Sequence, residues 1–354
     1  SFVIPAPAEV ARRPGPVGPL VAPPPLVVVA PLRVAVPELV QAAADKWGVK
    51  ASECKAANGS VTGPGGKKAS YGQLAEAASK ITPPKEVKLK DPSEFRYIGK
   101  PLKRLDTPGK INGKTVFGID VKLPGMLYAS LAQCPVIGGK VVSFDAAKAK
   151  SMPGVKHVLQ ITDGVAVVAD SWWRAKTARD TIKIQWDEGP NKTLQQADVW
   201  KTLAGAMSKP GATVKAQGNV AEGMKGAAKT VKATYEMPFL SHSPLEPMNF
   251  TADVRKDSAL LIGSIQFQQL AMGMATAITG LKPEQITIKT TYLGGGFGRR
   301  IDCDYFAQAV EISKAIGKPV KLVWTREDDM THDFYRPASL TELSAGLAAS
   351  GKPT

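Results

Sequence analysis

Gly294-Gly295-Gly296-Phe297-Gly298, followed at once by Arg299 and Arg300, constrains this chain more than any other stretch. It joins a strand-like run, Gln285 to Leu293, to a helix-like run that starts at Asp302. Glycine lacks a Cβ, so such a loop reaches positive φ and lets another group approach the main chain. Successive free N–H groups near a helix start favour an anion, and arginine suits phosphate. Two readings stand at this level: a bare strand-to-helix turn, or a cradle for an anionic group. The common nucleotide loops do not fit. A dinucleotide fingerprint needs glycine where Arg299 stands, and a P-loop ends in Gly-Lys-Ser/Thr. Gly63-Pro64-Gly65-Gly66-Lys67-Lys68 fails the second pattern, since neither Ser nor Thr follows Lys67.

The chain has 354 residues, enough for two or three domains, and carries a formal net charge of +15. Its lysines are dispersed, without a basic block or interleaved aromatics, which argues against nucleic acid and leaves solubility or an acidic protein partner. Cys54, Cys134 and Cys303 are far apart and read as buried small hydrophobes. With no Cys-x-x-Cys and only His157, His242 and His332, the sequence argues against a metal held directly by side chains. No uninterrupted apolar run reaches the length of a membrane helix.

Residues 1–37 are crowded with Pro, Val and Ala, and read as an extended, polyproline-like segment. Residues 38–104 read as a small helix and hairpin region plus a connector. Leu39, Val40, Ala43 and Trp47 share a helical face, Asn58-Gly59 is a hairpin turn, and Ser70 with Gln73 forms a capping box for a helix running to Ile81. Residues 105–190 read as an α+β domain. Strands are expected at Val116–Val121, Met126–Gln133, Lys156–Ile161, Ala166–Ala169 and Ile182–Trp186, with a helix capped by Ser171. Residues 191–354 mix helices and strands around the glycine loop. The last helix places Phe306, Ala309, Val310 and Ser313 on one face, and Asp328 with Asp329 reads as a solvated turn. Leu340 to Leu347 alternates weakly without a return strand, which leaves an edge to be covered. A continuation of the domain beyond Thr354, or a second chain, is therefore expected.

From about Leu105 to Arg336 the sequence resembles the molybdenum-cofactor large subunits of the xanthine dehydrogenase and aldehyde oxidase family. Within it the likeness is to the isoquinoline 1-oxidoreductase beta subunit and membrane-bound aldehyde dehydrogenase branch. Asp106-Thr107-Pro108-Gly109-Lys110-Ile111-Asn112-Gly113 and Phe117-Gly118-Ile119-Asp120 are similar to the opening of that family's α/β hammerhead domain. Ser243-Pro244-Leu245-Glu246-Pro247, Gln266, the glycine loop with Arg299-Arg300, and Thr325 to Met330 follow in the family's order. The proline-rich start departs from it.

The resemblance implies an α+β fold: a hammerhead-type α/β domain and the first half of a molybdopterin-binding α+β domain, behind a proline-rich N-terminal extension. It implies molybdopterin cytosine dinucleotide with molybdenum, and oxidation of an aldehyde or N-heterocycle with oxygen from water. Electrons would leave to a small [2Fe–2S] subunit, with a cytochrome c subunit as a further candidate partner. It places the complex in the periplasm, membrane-associated through partner subunits. Gln266 would donate to the metal's oxo group, or merely end a strand. Gly295, Gly296 and Gly298 would offer main-chain N–H groups, and Phe297 would wall the site. Arg299 would pair with an anionic part of the cofactor or form a surface salt bridge. His242 and Glu246 would line a substrate channel, or be loop polars and a buried hydrogen-bonded pair. The family's catalytic glutamate is expected beyond these residues, in the C-terminal part of the large subunit or a second chain. The alternative is a non-catalytic scaffold that keeps the fold without molybdenum.

Overall fold

The computed structural model describes residues 2–4, 35–87 and 89–354. Most of the proline-rich segment therefore lies outside the described residues. The described residues form two compact units, one built from 35–111 and one from Asn112–Thr354 with residues 2–4.

In the smaller unit the expected helix spans Val36–Trp47, with Pro37 in its first turn and Gly48 closing it at φ 66°. Lys55–Ala57 and Ser60–Thr62 pair antiparallel across Asn58-Gly59, and Lys68–Ser70 adds a third strand. The capping box is present: Gln73 N donates to Ser70 Oγ at 3.3 Å, and Ser70 N donates to Gln73 Oε1 at 2.9 Å. The helix that follows ends at Ala78, short of the expected Ile81. Leu39, Ala42, Ala43, Val61, Ala69, Leu74 and Ala78 form its core.

The larger unit is organised by one mixed seven-stranded sheet. Its strands, in chain order, are β1 (Leu127–Gln133), β2 (Val155–Ile161), β3 (Gly164–Ala169), β4 (Asn249–Val254), β5 (Ala259–Gly263), β6 (Ile286–Thr290) and β7 (Val320–Val323). Across the sheet they run β6-β5-β4-β7-β1-β3-β2. The parallel pair β7 and β1 joins strands from both sides of residue 190, so the boundary expected there falls within one continuous sheet.

Two helices cover the β4–β7 region. Gln268–Thr279 connects β5 to the parallel β6, and Gly280 ends it at φ 77°. Asp304–Ile316 buries nine of its thirteen residues, including the expected face of Phe306, Ala309, Val310 and Ser313. Phe250 packs edge-on against Phe306 at 4.8 Å between ring centres, over Leu261, Ile312, Val320 and Leu322. Each such buried large side chain stabilises the fold by about 1.5–3 kcal/mol.

Other segments differ from expectation. Val116–Val121 is not a strand. Gly118–Asp120 forms a 3₁₀ turn, because Asp120 Oδ2 accepts from Phe117 N at 3.0 Å and closes the segment on itself. Lys140–Asp145, which the pattern did not reveal, pairs antiparallel with Lys183–Asp187. The weakly alternating end of the chain, Ser339–Leu347, pairs with Lys229–Met237 along nine residues as a two-stranded ribbon. Val231, Tyr235, Met237 and Leu343 are exposed on one face of that ribbon.

Candidate cofactor site

Strand direction explains why distant segments meet. Gln266 follows the C-terminal end of β5, and the glycine loop follows the C-terminal end of β6, its parallel neighbour. The antiparallel β4 begins at that same end, just after Glu246, and β7 finishes there opposite Asn249. Residues 241–249, 264–266, 291–300 and 324–333 therefore emerge together, at the end of an α/β sheet where ligands commonly bind.

The glycine loop is held from three sides. Glu246 accepts at Oε2 from Gly294 N at 2.7 Å, and Glu246 N donates to Gly294 O at 3.0 Å. Its Oε1 accepts from Ile119 N and Asn249 Nδ2, both at 2.9 Å. Arg300, fully buried, donates through Nε to Gly295 O and through Nη2 to Glu246 O, each at 2.8 Å. Arg336 donates to Phe297 O at 3.2 Å. Gln266 Oε1 accepts from Arg300 N at 3.3 Å, and Gln266 N donates to Arg300 O at 2.9 Å.

Space is as limiting as hydrogen bonding. A Cβ on Gly294 would lie 2.4 Å from Glu246 Cβ, and one on Gly296 would lie 2.6 Å from Gln266 Oε1. Gly295 and Gly298 sit at φ 104° and 102°. Three non-glycine residues adopt positive φ among the described residues, and two of them, Ser243 and Phe297, flank this site. Strained backbone that persists is over-determined by its surroundings, and it concentrates at ligand sites.

Arg299 is not on the surface. Its guanidinium is fully buried, bonded to Asp304 through both Nη atoms at 3.0 and 2.9 Å, and its Nε is paired with Asp333 at 2.9 Å. The rings of Phe334, Trp324 and Tyr305 lie 5.4, 5.5 and 5.8 Å from its central carbon. Burial alone would lower its pKa, but Asp304 and Asp333 raise it, so the arginine stays charged. It braces the start of the helix from inside. Glu246 is likewise 8% exposed and tied into the loop's support, which is the buried hydrogen-bonded reading of that residue.

Asp328 and Asp329 are also not a solvated turn. Asp328 caps Thr325 and pairs with Arg179 at 2.7 Å. Asp329 is fully buried beside Arg326, and burial pushes its carboxyl up to about 6, against the opposing pull of Arg326 and Arg299. Arg326 in turn holds the 242–246 loop by donating to Pro244 O at 2.6 Å and Leu245 O at 2.9 Å. Cys303 is buried, and that burial pushes its thiol up to about 12, an inert setting. Sequence reasoning passed over Asp333, Asp304 and Asn249; lone polar residues carry no periodic signal.

The residues fit a bound group rich in hydrogen-bond acceptors. Among the described residues, none accepts from the N–H groups of Gly295, Gly296, Phe297 or Gly298. Gln266 is exposed, and its Nε2 has no protein acceptor among them. Phe297 is 65% exposed and presents an aromatic face. Among the described residues, no group of three His, Cys, Asp or Glu side chains is placed to hold a metal ion directly.

Comparison with known proteins defines the class. Residues 207–354 match the family described as molybdopterin cofactor-binding domain. The isoquinoline 1-oxidoreductase subunit beta of Brevundimonas diminuta is 28% identical over 87% of this chain and 45% of its own length. A protein of Gluconacetobacter polyoxogenes named membrane-bound aldehyde dehydrogenase (pyrroloquinoline-quinone) is 32% identical over 89% of this chain and 43% of its own. The aldehyde oxidoreductase of Desulfovibrio gigas shares the fold, with a TM-score of 0.56, 20% identity, and coverage of 80% of this chain and 37% of that one. Residues 207–354 thus carry a molybdopterin cofactor-binding domain, and the chain is similar over most of its own length to molybdenum-cofactor large subunits of the xanthine dehydrogenase and aldehyde oxidase family. Among these it is similar to the isoquinoline 1-oxidoreductase beta subunit and the membrane-bound aldehyde dehydrogenase, and it spans less than half the length of those relatives, 45% and 43%.

Proposed function

We propose that this chain forms one wall of the cofactor site in a molybdenum hydroxylase large subunit that oxidises an aldehyde or an N-heterocycle. The observation that carries the reading is the row of four open N–H groups, Gly295 to Gly298, beside the free amide of Gln266, within the segment matched to the cofactor-binding family. When bound, the cofactor would supply two-electron oxidation of the substrate carbon with oxygen taken from water.

This chain's residues do the positioning. The glycine N–H groups would bind the cofactor's acceptors, Gln266 Nε2 would donate to an oxo group, and Phe297 would exclude water from one side. Glu246, Arg300 and Arg299 would hold these groups still, as preorganised donors require. The cofactor form is molybdopterin cytosine dinucleotide, and the electrons go to a [2Fe–2S] partner subunit in a periplasmic complex. The general base comes from sequence outside these residues.

The name of the Gluconacetobacter relative specifies a quinone, whereas the family matched by this chain's own residues 207–354 specifies molybdopterin. Elemental analysis of the purified full complex separates these. About one molybdenum per copy of this chain is expected, and a metal-free complex would leave a scaffold or a different cofactor.

A further inference from the structure

The histidine beside the glycine loop has an unused ring nitrogen. His242 Nδ1 lies 3.1 Å from both oxygens of Asp333, and His242 N donates to Asp333 Oδ2 at 2.5 Å. Ser241 Oγ donates to the same oxygen at 2.9 Å, and Arg299 Nε pairs with Asp333 Oδ1 at 2.9 Å. Four groups thus fix a carboxylate that is 3% exposed. The imidazole it orients has a side-chain exposure of 10%. Its Nε2 has no protein partner among the described residues, and it lies 3.8 Å from the point that a Cβ on Gly298 would occupy. The residue that follows the ring, Ser243, takes a positive φ of 39°.

A carboxylate that accepts from Nδ1–H leaves Nε2 as the acceptor of a neutral imidazole. The open N–H groups at 295–298 are donors, as is the Gln266 amide. His242 Nε2 therefore supplies an uncommitted side-chain acceptor beside Gly298, next to these donors. We infer that His242 binds an N–H or O–H donor of the group seated on the glycine loop, and that Asp333 is the positioning residue that sets its tautomer. The donor belongs to the cofactor or to the substrate. The inference rests on the proposed function for what occupies the site, but the tautomer does not.

Three histidines in the chain make a direct test practical. In the assembled complex, with only this chain labelled by ¹⁵N-histidine and at a pH well above the usual imidazole range, His242 should show a protonated Nδ1 and a bare Nε2. The opposite tautomer overturns the inference, whether or not the complex holds molybdenum. His242→Asn keeps a donor for Asp333 and removes the Nε2 atom. It should lower molybdenum and pterin content by about fivefold, the scale of one neutral hydrogen bond, if the donor is on the cofactor. If the donor is on the substrate, content stays at the wild-type level and KM rises by about fivefold with kcat little changed. His242→Gln, whose amide oxygen can reach the vacated position, should recover part of either effect. Unchanged content and unchanged KM in His242→Asn sink the inference alone, whereas wild-type complex without molybdenum sinks the proposed function.

Discussion

Gly63-Pro64-Gly65-Gly66 in the smaller unit and Gly294-Gly295-Gly296-Phe297-Gly298 in the larger are both glycine-rich turns leaving a strand. In the first, a Cβ on Gly63 would meet the Trp47 ring at 2.8 Å, but Gly65 and Gly66 take positive φ with nothing within 4 Å of an added Cβ, and Lys67 Nζ donates to Trp47 O at 3.1 Å. In the second, added atoms would strike Glu246 and Gln266, and the turn is clamped by buried charge. Glycine is needed in both for the turn. Only the second has neighbours that fix the direction of its N–H groups, and that support separates a binding site from a bend.

Arg299→Ala should break the second loop most severely. It leaves Asp304 and Asp333 buried without their cation, a loss of about 3–5 kcal/mol, read as a lower denaturation midpoint. Titration of Asp329 comes next. Its folded value of about 6 lies above the ordinary 3.8, so the folded state binds the proton more tightly between those values. Its cost to stability is full above pH 6, and it is relieved as pH falls towards 4, by on the order of 3 kcal/mol at most. Asp329→Asn should flatten that slope in denaturant titrations between pH 4 and 7. Gly294→Ala should cost about 1–3 kcal/mol through overpacking and should lower molybdenum content. Gly66→Ala, in open space at φ 74°, should cost about 1 kcal/mol through backbone strain alone and leave molybdenum content unchanged. Equal effects of the two alanines on metal content would erase the distinction between the turns.

Much of the element map was legible because it is local. Helix faces such as Phe306-Ala309-Val310, the Ser70–Gln73 box, the Asn58-Gly59 turn and the Gly280 stop are set by residues within a turn or two of each other. Val116–Val121 misled, because alternation is also satisfied by a turn in which Asp120 caps its own segment. Asp329 misled because a charged residue after a strand reads as solvated, and only packing shows that it is fully buried beside Arg326. Arg299 looked available for a ligand until Asp304, Asp333 and three aromatic rings were found around it.

The sequence alone determined that a glycine loop joins a strand to a helix, that it matches neither common nucleotide loop, and that its motifs follow the order of one cofactor-binding family. These depend on residue type and spacing, which are fixed along the chain. Tertiary structure decided which groups face the loop. Glu246, Arg300, Asp333 and His242 meet it because β5, β6 and β7 end where β4 begins, and the sum of strand directions is not written in any single segment.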